Sequence, residues 1–317
     1  MSFARETKEE LAHIIPQKSC CQRAELGAYI KMLGDLGISN KKLKLSLKTP
    51  LSFLARKILI LLKNNGFKTK TLVQDHGRLS QKNFYYIELE ERVEELLKEY
   101  GFIDEKGNLS NRINENYIKN DCCRRSFLRG VFLAGGSLND PAGDYHLELN
   151  LPDEAFARQV LKVLQKYHFT FRFLKRKSVP FLYLKDAEQI LSFLSLIGAH
   201  QSLLKFENVR VVKEVRNQVN RLVNCETANI KKAVKTAVKQ IKDIEYIAEK
   251  IGLDNLEPAL KEIALLRLDN PDLSLKEIGS LLNPPLTKSG VNHRFRKLEL
   301  IAEKIRNGAL GNGFGRA

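Results

Sequence analysis

An internal duplication constrains this chain more than any other feature. Residues 19–36 read Ser-Cys-Cys-Gln-Arg-Ala-Glu-Leu-Gly-Ala-Tyr-Ile-Lys-Met-Leu-Gly-Asp-Leu, and they align without a gap on residues 121–138 at an offset of 102. Cys20 falls on Cys122, Cys21 on Cys123, Arg23 on Arg125, Leu26 on Leu128, Gly34 on Gly136 and Leu36 on Leu138. The offset persists downstream, with Ala55-Arg56 on Ala157-Arg158, Leu62 on Leu164 and Phe67 on Phe169. Self-similarity at a fixed period means that one structural unit is used twice. The centre of the second copy, residues 128–136, is apolar and carries small residues at Gly130, Ala134, Gly135 and Gly136. Each glycine weakens an isolated helix by roughly 1 kcal/mol relative to alanine. That cost makes sense where another backbone must come very close, and the first copy is the natural partner. Two motif helices packed side by side are therefore expected at the centre of the fold.

Hydrophobic periodicity orders the rest of each repeat. In the first, a helix over 7–14 closes before Pro16, and the motif helix spans about 23–36. Residues 42–48, Lys-Leu-Lys-Leu-Ser-Leu-Lys, alternate strictly, which signals a strand with one apolar and one basic face. A helix from Pro50 through Lys63, a strand pair over 67–73 and 83–89, and a helix over 91–100 complete the unit. The second repeat follows with a strand over 145–151, a helix over 152–167, strands over 169–176 and 181–184, and a helix over 187–196. Helix, strand, helix, strand, strand, helix, twice over, predicts an α+β domain. After Gly198 only helical periodicity remains. The expected division is residues 1–200 as the duplicated domain (repeats about 1–101 and 102–200), 201–227 as a connecting helix ending near Asn224-Cys225-Glu226-Thr227, and 228–317 as an all-helical domain.

Two copies of a nine-residue helix with this small-residue pattern, each opening a repeat of about a hundred residues, resemble the LAGLIDADG fold of homing endonucleases. The resemblance implies motif helices paired at a pseudo-two-fold axis and strands forming a saddle for DNA. Laid on the motif, the copies run over 26–34 and 128–136, and the family's catalytic carboxylate, the eighth motif residue, falls on Leu33 and Gly135. Mg²⁺-dependent phosphodiester cleavage needs hard oxygen ligands, and both positions lack one. Asp35 lies one residue past the first motif, but Ser137 holds the matching place. The resemblance thus implies a nuclease scaffold without its catalytic acids; an active endonuclease or RNA maturase using other acids is the alternative.

Fifty-three lysines and arginines against 37 acids leave a net charge of +16, which favours a polyanionic partner, nucleic acid before an anionic membrane surface. No apolar run approaches the length of a membrane span, and the first fifteen residues lack the apolar stretch of a signal peptide. A cytoplasmic, nucleoid-associated monomer is expected. Five cysteines occur, as two vicinal pairs and Cys225. Neither pair has zinc-knuckle spacing and no histidine sits at a ligand offset. The pairs therefore read as small buried hydrophobes recurring by duplication, and neither a metal nor a cofactor is expected. Lys42, Lys44 and Lys48 on the predicted strand are candidate phosphate contacts; exposed lysines also guard sheet edges. Lys231, Lys232 and Lys235 offer a further candidate track on the outer face of a helix.

The last segment carries the most specific chemistry. Residues 258–268 form a predicted helix stopped at Asn270-Pro271. Ser274-Leu275-Lys276-Glu277 has capping-box spacing and opens a second helix that Asn283-Pro284-Pro285 ends abruptly. A third helix begins near Thr287 or Lys288. Helix, tight turn and a final helix rich in Arg, Lys, His and Asn make a helix-turn-helix signature from about Ser274 to Asn307. At about 100° per residue, Val291, Phe295 and Leu298 share one side while Ser289, His293 and Arg296 lie opposite. Asn292 and Lys297 flank them, and Arg294 turns back toward the bundle edge. Arginine reads guanine and asparagine reads adenine bidentately. Ser289, Asn292, His293 and Arg296 are therefore candidate base contacts and Lys288 and Lys297 candidate phosphate contacts, with Arg294, at the bundle edge, a further DNA-binding candidate.

A degenerate LAGLIDADG domain joined to this helix-turn-helix resembles the WhiA family over essentially the whole chain. The carrying segments are 220–229 (Asn-Arg-Leu-Val-Asn-Cys-Glu-Thr-Ala-Asn), 274–279 (Ser-Leu-Lys-Glu-Ile-Gly) and 288–294 (Lys-Ser-Gly-Val-Asn-His-Arg). The resemblance implies a non-enzymatic bacterial regulator that binds double-stranded DNA. It also implies roles in cell division and chromosome segregation, or sporulation in filamentous relatives, and RNA polymerase or a co-regulator as a further partner.

Overall fold

The computed structural model describes residues 2–39, 42–74, 83–104 and 108–308. They fall into two compact units, divided between Glu214 and Val215.

The first repeat runs α1 (Phe3–Ala12), α2 (Ser19–Leu33), β1 (Gly34–Ser39), β2 (Lys42–Thr49), α3 (Ser52–Asn64), β3 (Lys70–Gln74), β4 (Phe84–Leu89) and α4 (Val93–Glu99). The second runs α5 (Asp121–Gly135), β5 (Gly136–Leu138), β6 (Leu147–Asn150), α6 (Glu154–Gln165), β7 (Arg172–Arg176), β8 (Val179–Leu184) and α7 (Ala187–Ile197). The motif helices α2 and α5 begin and end at equivalent positions of the duplication, and the two antiparallel sheets have matching orders, β1-β2-β4-β3 and β5-β6-β8-β7. Each sheet thus holds one strand more than periodicity predicts. The motif helix does not continue to Leu36: Gly34 takes an extended conformation (φ −77°, ψ 132°) and the chain turns directly into β1, paired to β2 with Leu36 opposite Leu45. Gly136 does the same before β5. Leu36 keeps helical spacing from Leu33, but pairing with β2 draws the chain into a strand instead.

Along β2, Leu45, Leu47 and Thr49 are buried while Lys42 and Lys48 stay exposed, the predicted two-faced strand. Leu26, Ala28 and Tyr29 of α2 and Leu128, Val131 and Phe132 of α5 are fully buried in the one core shared by both repeats. A Cβ on Gly130 would lie 2.9 Å from both the Ala28 Cβ and the Glu25 carbonyl oxygen, so the absent side chain sets how closely the helices approach. The axis also holds charge. Glu25, fully buried, meets Lys57 Nζ at 2.6 Å and Arg129 Nη1 at 3.4 Å, and accepts a 2.7 Å hydrogen bond from the Tyr29 hydroxyl. Burial and the facing Arg129 push the Lys57 ammonium below its ordinary pKa, against the opposing pull of Glu25.

The third run of helices departs from the sequence reading. One helix, α8 (His200–Ile251), continues through Asn224-Cys225-Glu226-Thr227, where the connecting helix was expected to stop. No proline or glycine interrupts residues 200–251, so the backbone has no reason to break there. The division between the two units falls inside it. The remaining helices are α9 (Pro258–Asp269), α10 (Leu275–Leu281) and α11 (Lys288–Arg306). Their core comprises Ile244 and Ile247 of α8 with Leu260, Ile263, Ile278, Val291, Phe295 and Leu298. Among the described residues no helix is long and apolar enough to cross a membrane.

Candidate nucleic-acid interface

The geometry of α10 and α11 follows from three local devices. The Ser274 hydroxyl accepts from the Glu277 N–H at 3.3 Å, and the Glu277 carboxylate accepts from the Ser274 N–H at 2.7 Å. The Ser274 hydroxyl and, after it, the Ser274 N–H hold the Glu277 carboxyl below the usual carboxylate range. The turn closes tightly because a Cβ on Gly279 would fall 2.3 Å from the Leu286 carbonyl oxygen, and the Leu286 N–H donates to the Gly279 carbonyl at 2.9 Å. Thr287 caps α11, accepting from the Gly290 N–H at 3.4 Å. Beneath the turn the buried Arg267 donates to the Leu273 carbonyl at 2.7 Å and to those of Asn270 and Pro271 at 3.4 and 3.3 Å. Its guanidinium lies 5.3 Å from the centre of the Phe295 ring, joining the loop before α10 to the buried side of α11.

The phase of α11 comes out as periodicity predicts. Val291, Phe295 and Leu298 are buried; Lys288, Ser289, His293, Arg296 and Lys297 are exposed, and Asn292 is half-buried. Arg294 turns back toward the bundle, as its phase predicts, which sets it apart from the other DNA-binding candidates. It donates to the Ala259 carbonyl at 3.2 Å and contacts Glu262 at 3.4 Å, so it holds α11 against α9 instead of facing outward. A groove of about 1040 Å³ brings further residues to this surface. Lys232 and Asn229 of α8, Lys276 of α10, and Lys288, Ser289 and Asn292 of α11 all line it. Lys231 and Lys235 are exposed one residue before and three after Lys232, but only Lys232 shares the groove. Lys276 and Asn229 were not singled out from sequence; only the fold, which sets this stretch of α8 on the same groove as α10 and α11, brings them together.

The first unit offers less. A Cβ on Gly135 would lie 2.3 Å from the Asn150 carbonyl oxygen and 2.4 Å from Met32 Cε, so no side chain fits where the second acid of a LAGLIDADG nuclease would stand. Asp35 is exposed on β1 opposite Ser46, and Ser137 stands opposite Glu148 in the second sheet. Of the candidate strand lysines, Lys44 is paired with Glu88 at 2.8 Å and Lys48 sits 4.5 Å from the Phe84 ring centre, while Lys42 is exposed. In the second sheet Lys175 pairs with Glu154 at 2.5 Å and Arg176 with Glu148 at 3.3 Å. Much of the positive charge read from these strands is thus matched by carboxylates.

The cysteines do not behave as isolated hydrophobes. Cys21 and Cys123 are buried, but Cys20 is exposed and Cys122 half-buried, and all four sulfurs lie within 4.8 Å of one another. Burial pushes the Cys21 thiol up to about 11 and raises Cys123, whereas a hydrogen bond from Cys21 lowers Cys122. Spacing within each pair hides this meeting, because it joins residues 101 apart or more across the axis.

This architecture is a duplicated LAGLIDADG-like domain followed by a helix-turn-helix domain. Residues 19–103 match the WhiA N-terminal LAGLIDADG-like domain, 124–216 the WhiA LAGLIDADG-like domain and 219–302 the WhiA C-terminal HTH domain. The chain belongs to the WhiA family. It is 97% identical over 311 residues to the probable cell division protein WhiA of Carboxydothermus hydrogenoformans, covering 98% of this chain and 100% of that one. It is 49% identical to the protein of the same name from Heliobacterium modesticaldum, over 96% of each. The crystal structure of full-length DUF199/WhiA from Thermatoga maritima is similar with a TM-score of 0.57 at 28% identity, covering 96% of this chain and 99% of that one.

Proposed function

We propose that this chain is a non-enzymatic DNA-binding regulator of transcription acting in cell division and chromosome segregation, and that α11 reads double-stranded DNA. The carrying observation is the outward face of α11, where Ser289, Asn292, His293 and Arg296 stand together opposite a buried face. Arg296 and Asn292 supply bidentate chemistry for base edges, and Lys288, Lys297, Lys276 and Lys232 supply cations for phosphate. The names of the relatives support the link to cell division. The lack of room at Gly135, with Leu33 at the other motif position, supports a scaffold that has stopped cutting. The paired cations of the strands suit a secondary role for the sheets, as phosphate backing or as a surface for RNA polymerase or a co-regulator. The protein works at the nucleoid as a monomer.

Gel shifts of the full chain on target and scrambled duplexes, at two salt concentrations, test this. Arg296→Ala should cost roughly 1–3 kcal/mol and relax preference at one base position, while Lys297→Ala should weaken all sequences alike and reduce the salt slope. Leu298→Ala separates binding from folding, since its buried side chain should cost roughly 2–5 kcal/mol of stability through the cavity it leaves. Unchanged affinity and sequence preference in Arg296→Ala would remove α11 as the reader. Mg²⁺-dependent cleavage abolished by Asp35→Asn would overturn the non-enzymatic assignment.

A further inference from the structure

We propose that Cys20, Cys21, Cys122 and Cys123 form a tetrathiolate site for one zinc ion, clamping the two motif helices together at their N-terminal ends. This reverses the expectation drawn from the spacing of each pair alone. The four sulfurs lie within 4.8 Å of one another, and the two sulfurs of each pair are 4.0 Å apart. A zinc ion about 2.3 Å from four thiolates spaces them about 3.8 Å apart in a tetrahedron. The vicinal edges already match that figure, and the longest edge must contract by about 1 Å, which a thiol rotation supplies. A four-iron cluster would hold its cysteine sulfurs farther apart than this arrangement allows. Soft sulfur donors with no oxygen or nitrogen among them select zinc over the hard cations that nuclease acids hold.

The surroundings suit the charge such a site carries. Zinc displaces the thiol protons to solvent, so that S–H bonds are exchanged for Zn–S bonds without any transfer of electrons. Four thiolates on one Zn²⁺ leave two negative charges. Each pair lies in the first turn of a 15-residue helix, α2 or α5, where unpaired N–H groups and the helix dipole favour negative charge. Lys18 is close enough to Cys122 to act on it electrostatically, and the buried Ser126 is within hydrogen-bond reach of Cys21, an outer partner that orients the ligand. Buried Cys21 and Cys123 close the inner side, and exposed Cys20 leaves an entry path. Because each repeat contributes two ligands, the ion would tie the duplication together at the end of the axis opposite Leu33 and Gly135.

The test uses the reduced, metal-stripped full chain titrated anaerobically with Co²⁺. One equivalent should be taken up with intense near-ultraviolet thiolate-to-cobalt absorption and tetrahedral visible bands, and one equivalent of Zn²⁺ should bleach both. The double variant Cys20→Ser/Cys122→Ser should lose affinity by more than the roughly 10–100-fold that removing an outer partner costs. Cys225→Ser, on α8 and outside the cluster, should bind as the parent does. Zinc should also raise the melting temperature of the parent and not of the double variant, with circular dichroism reporting that the variant is folded. A parent protein whose four thiols titrate as free yet which takes up no Co²⁺ would overturn the proposal, whatever the variants do. So would cobalt bands that persist in the double variant, or cross-helix disulfides that form in place of metal uptake.

Discussion

Replacing Glu25 by leucine should damage the first unit far more than replacing Lys57 by methionine, although the two residues form one buried ion pair. At the axis one carboxylate faces two cations: Lys57 at 2.6 Å and Arg129 at 3.4 Å, with Glu25 and Lys57 both fully excluded from solvent. Removing Glu25 leaves two buried cations confronting each other and the Tyr29 hydroxyl without its acceptor. An uncompensated buried charge costs roughly 3–5 kcal/mol, and an orphaned buried hydroxyl roughly 1–3 kcal/mol more. Removing Lys57 instead leaves Glu25 balanced by Arg129 and still bonded to Tyr29. The loss is then one charge-assisted bond and the donation to the Leu11 carbonyl, roughly 1–3 kcal/mol, offset by sparing the ammonium its desolvation. For a unit of this size each kcal/mol moves the midpoint by roughly 2–4 °C, so Glu25→Leu should lower it by roughly 10–30 °C and Lys57→Met by less than half as much. Thermal and urea unfolding at pH 7, followed by circular dichroism, measure both. Equal losses in the two variants, or a loss under about 1 kcal/mol in Glu25→Leu, would refute the charge-balance reasoning.

Other outcomes follow from single sites. Burial beside Phe132 pushes the Lys8 ammonium from 10.5 down to about 8. Below pH 8 both folded and unfolded chains carry that proton and the burial penalty is felt in full; between pH 8 and 10.5 only the unfolded chain carries it, so this group's contribution to stability rises with pH. Lys8→Met should therefore stabilise the protein at pH 7 by at most roughly 3 kcal/mol, with the gain fading by pH 10.5, as melts across that range would report. Gly135→Asp should not restore a nuclease, because its Cβ meets the Asn150 carbonyl; a stability loss of roughly 1–3 kcal/mol and no Mg²⁺-dependent cleavage are expected in denaturation and plasmid assays. Arg267→Met should weaken DNA binding in gel shifts, though Arg267 is buried, because it strips the donors from the carbonyls of Asn270, Pro271 and Leu273 that set the loop before α10.

What the residues alone determined is whatever depends on neighbours in the chain. The offset of 102 was enough to require two equivalent motif helices, and α2 and α5 keep it at both ends. The small side chain at Gly130 announced the close approach to Ala28. Ser274 and Glu277 lie within one helical turn, so their capping box was legible from spacing, and the outward phase of α11 follows from Val291, Phe295 and Leu298. Tertiary structure decided the rest. Leu36 keeps helical spacing from Leu33, so the motif helix reads on to Leu36, and residues 34–39 become β1 because β2 offers a ladder of partners. Lys44 reads as a free cation until Glu88 of another strand neutralises it, and Arg294 as a DNA contact until α9 presents Ala259 and Glu262. Neither cysteine pair has the spacing of a metal site by itself. The four thiols become one cluster only when the pseudo-two-fold packing of α2 and α5 brings positions a hundred residues apart to within a few ångströms, a relation that local spacing cannot encode.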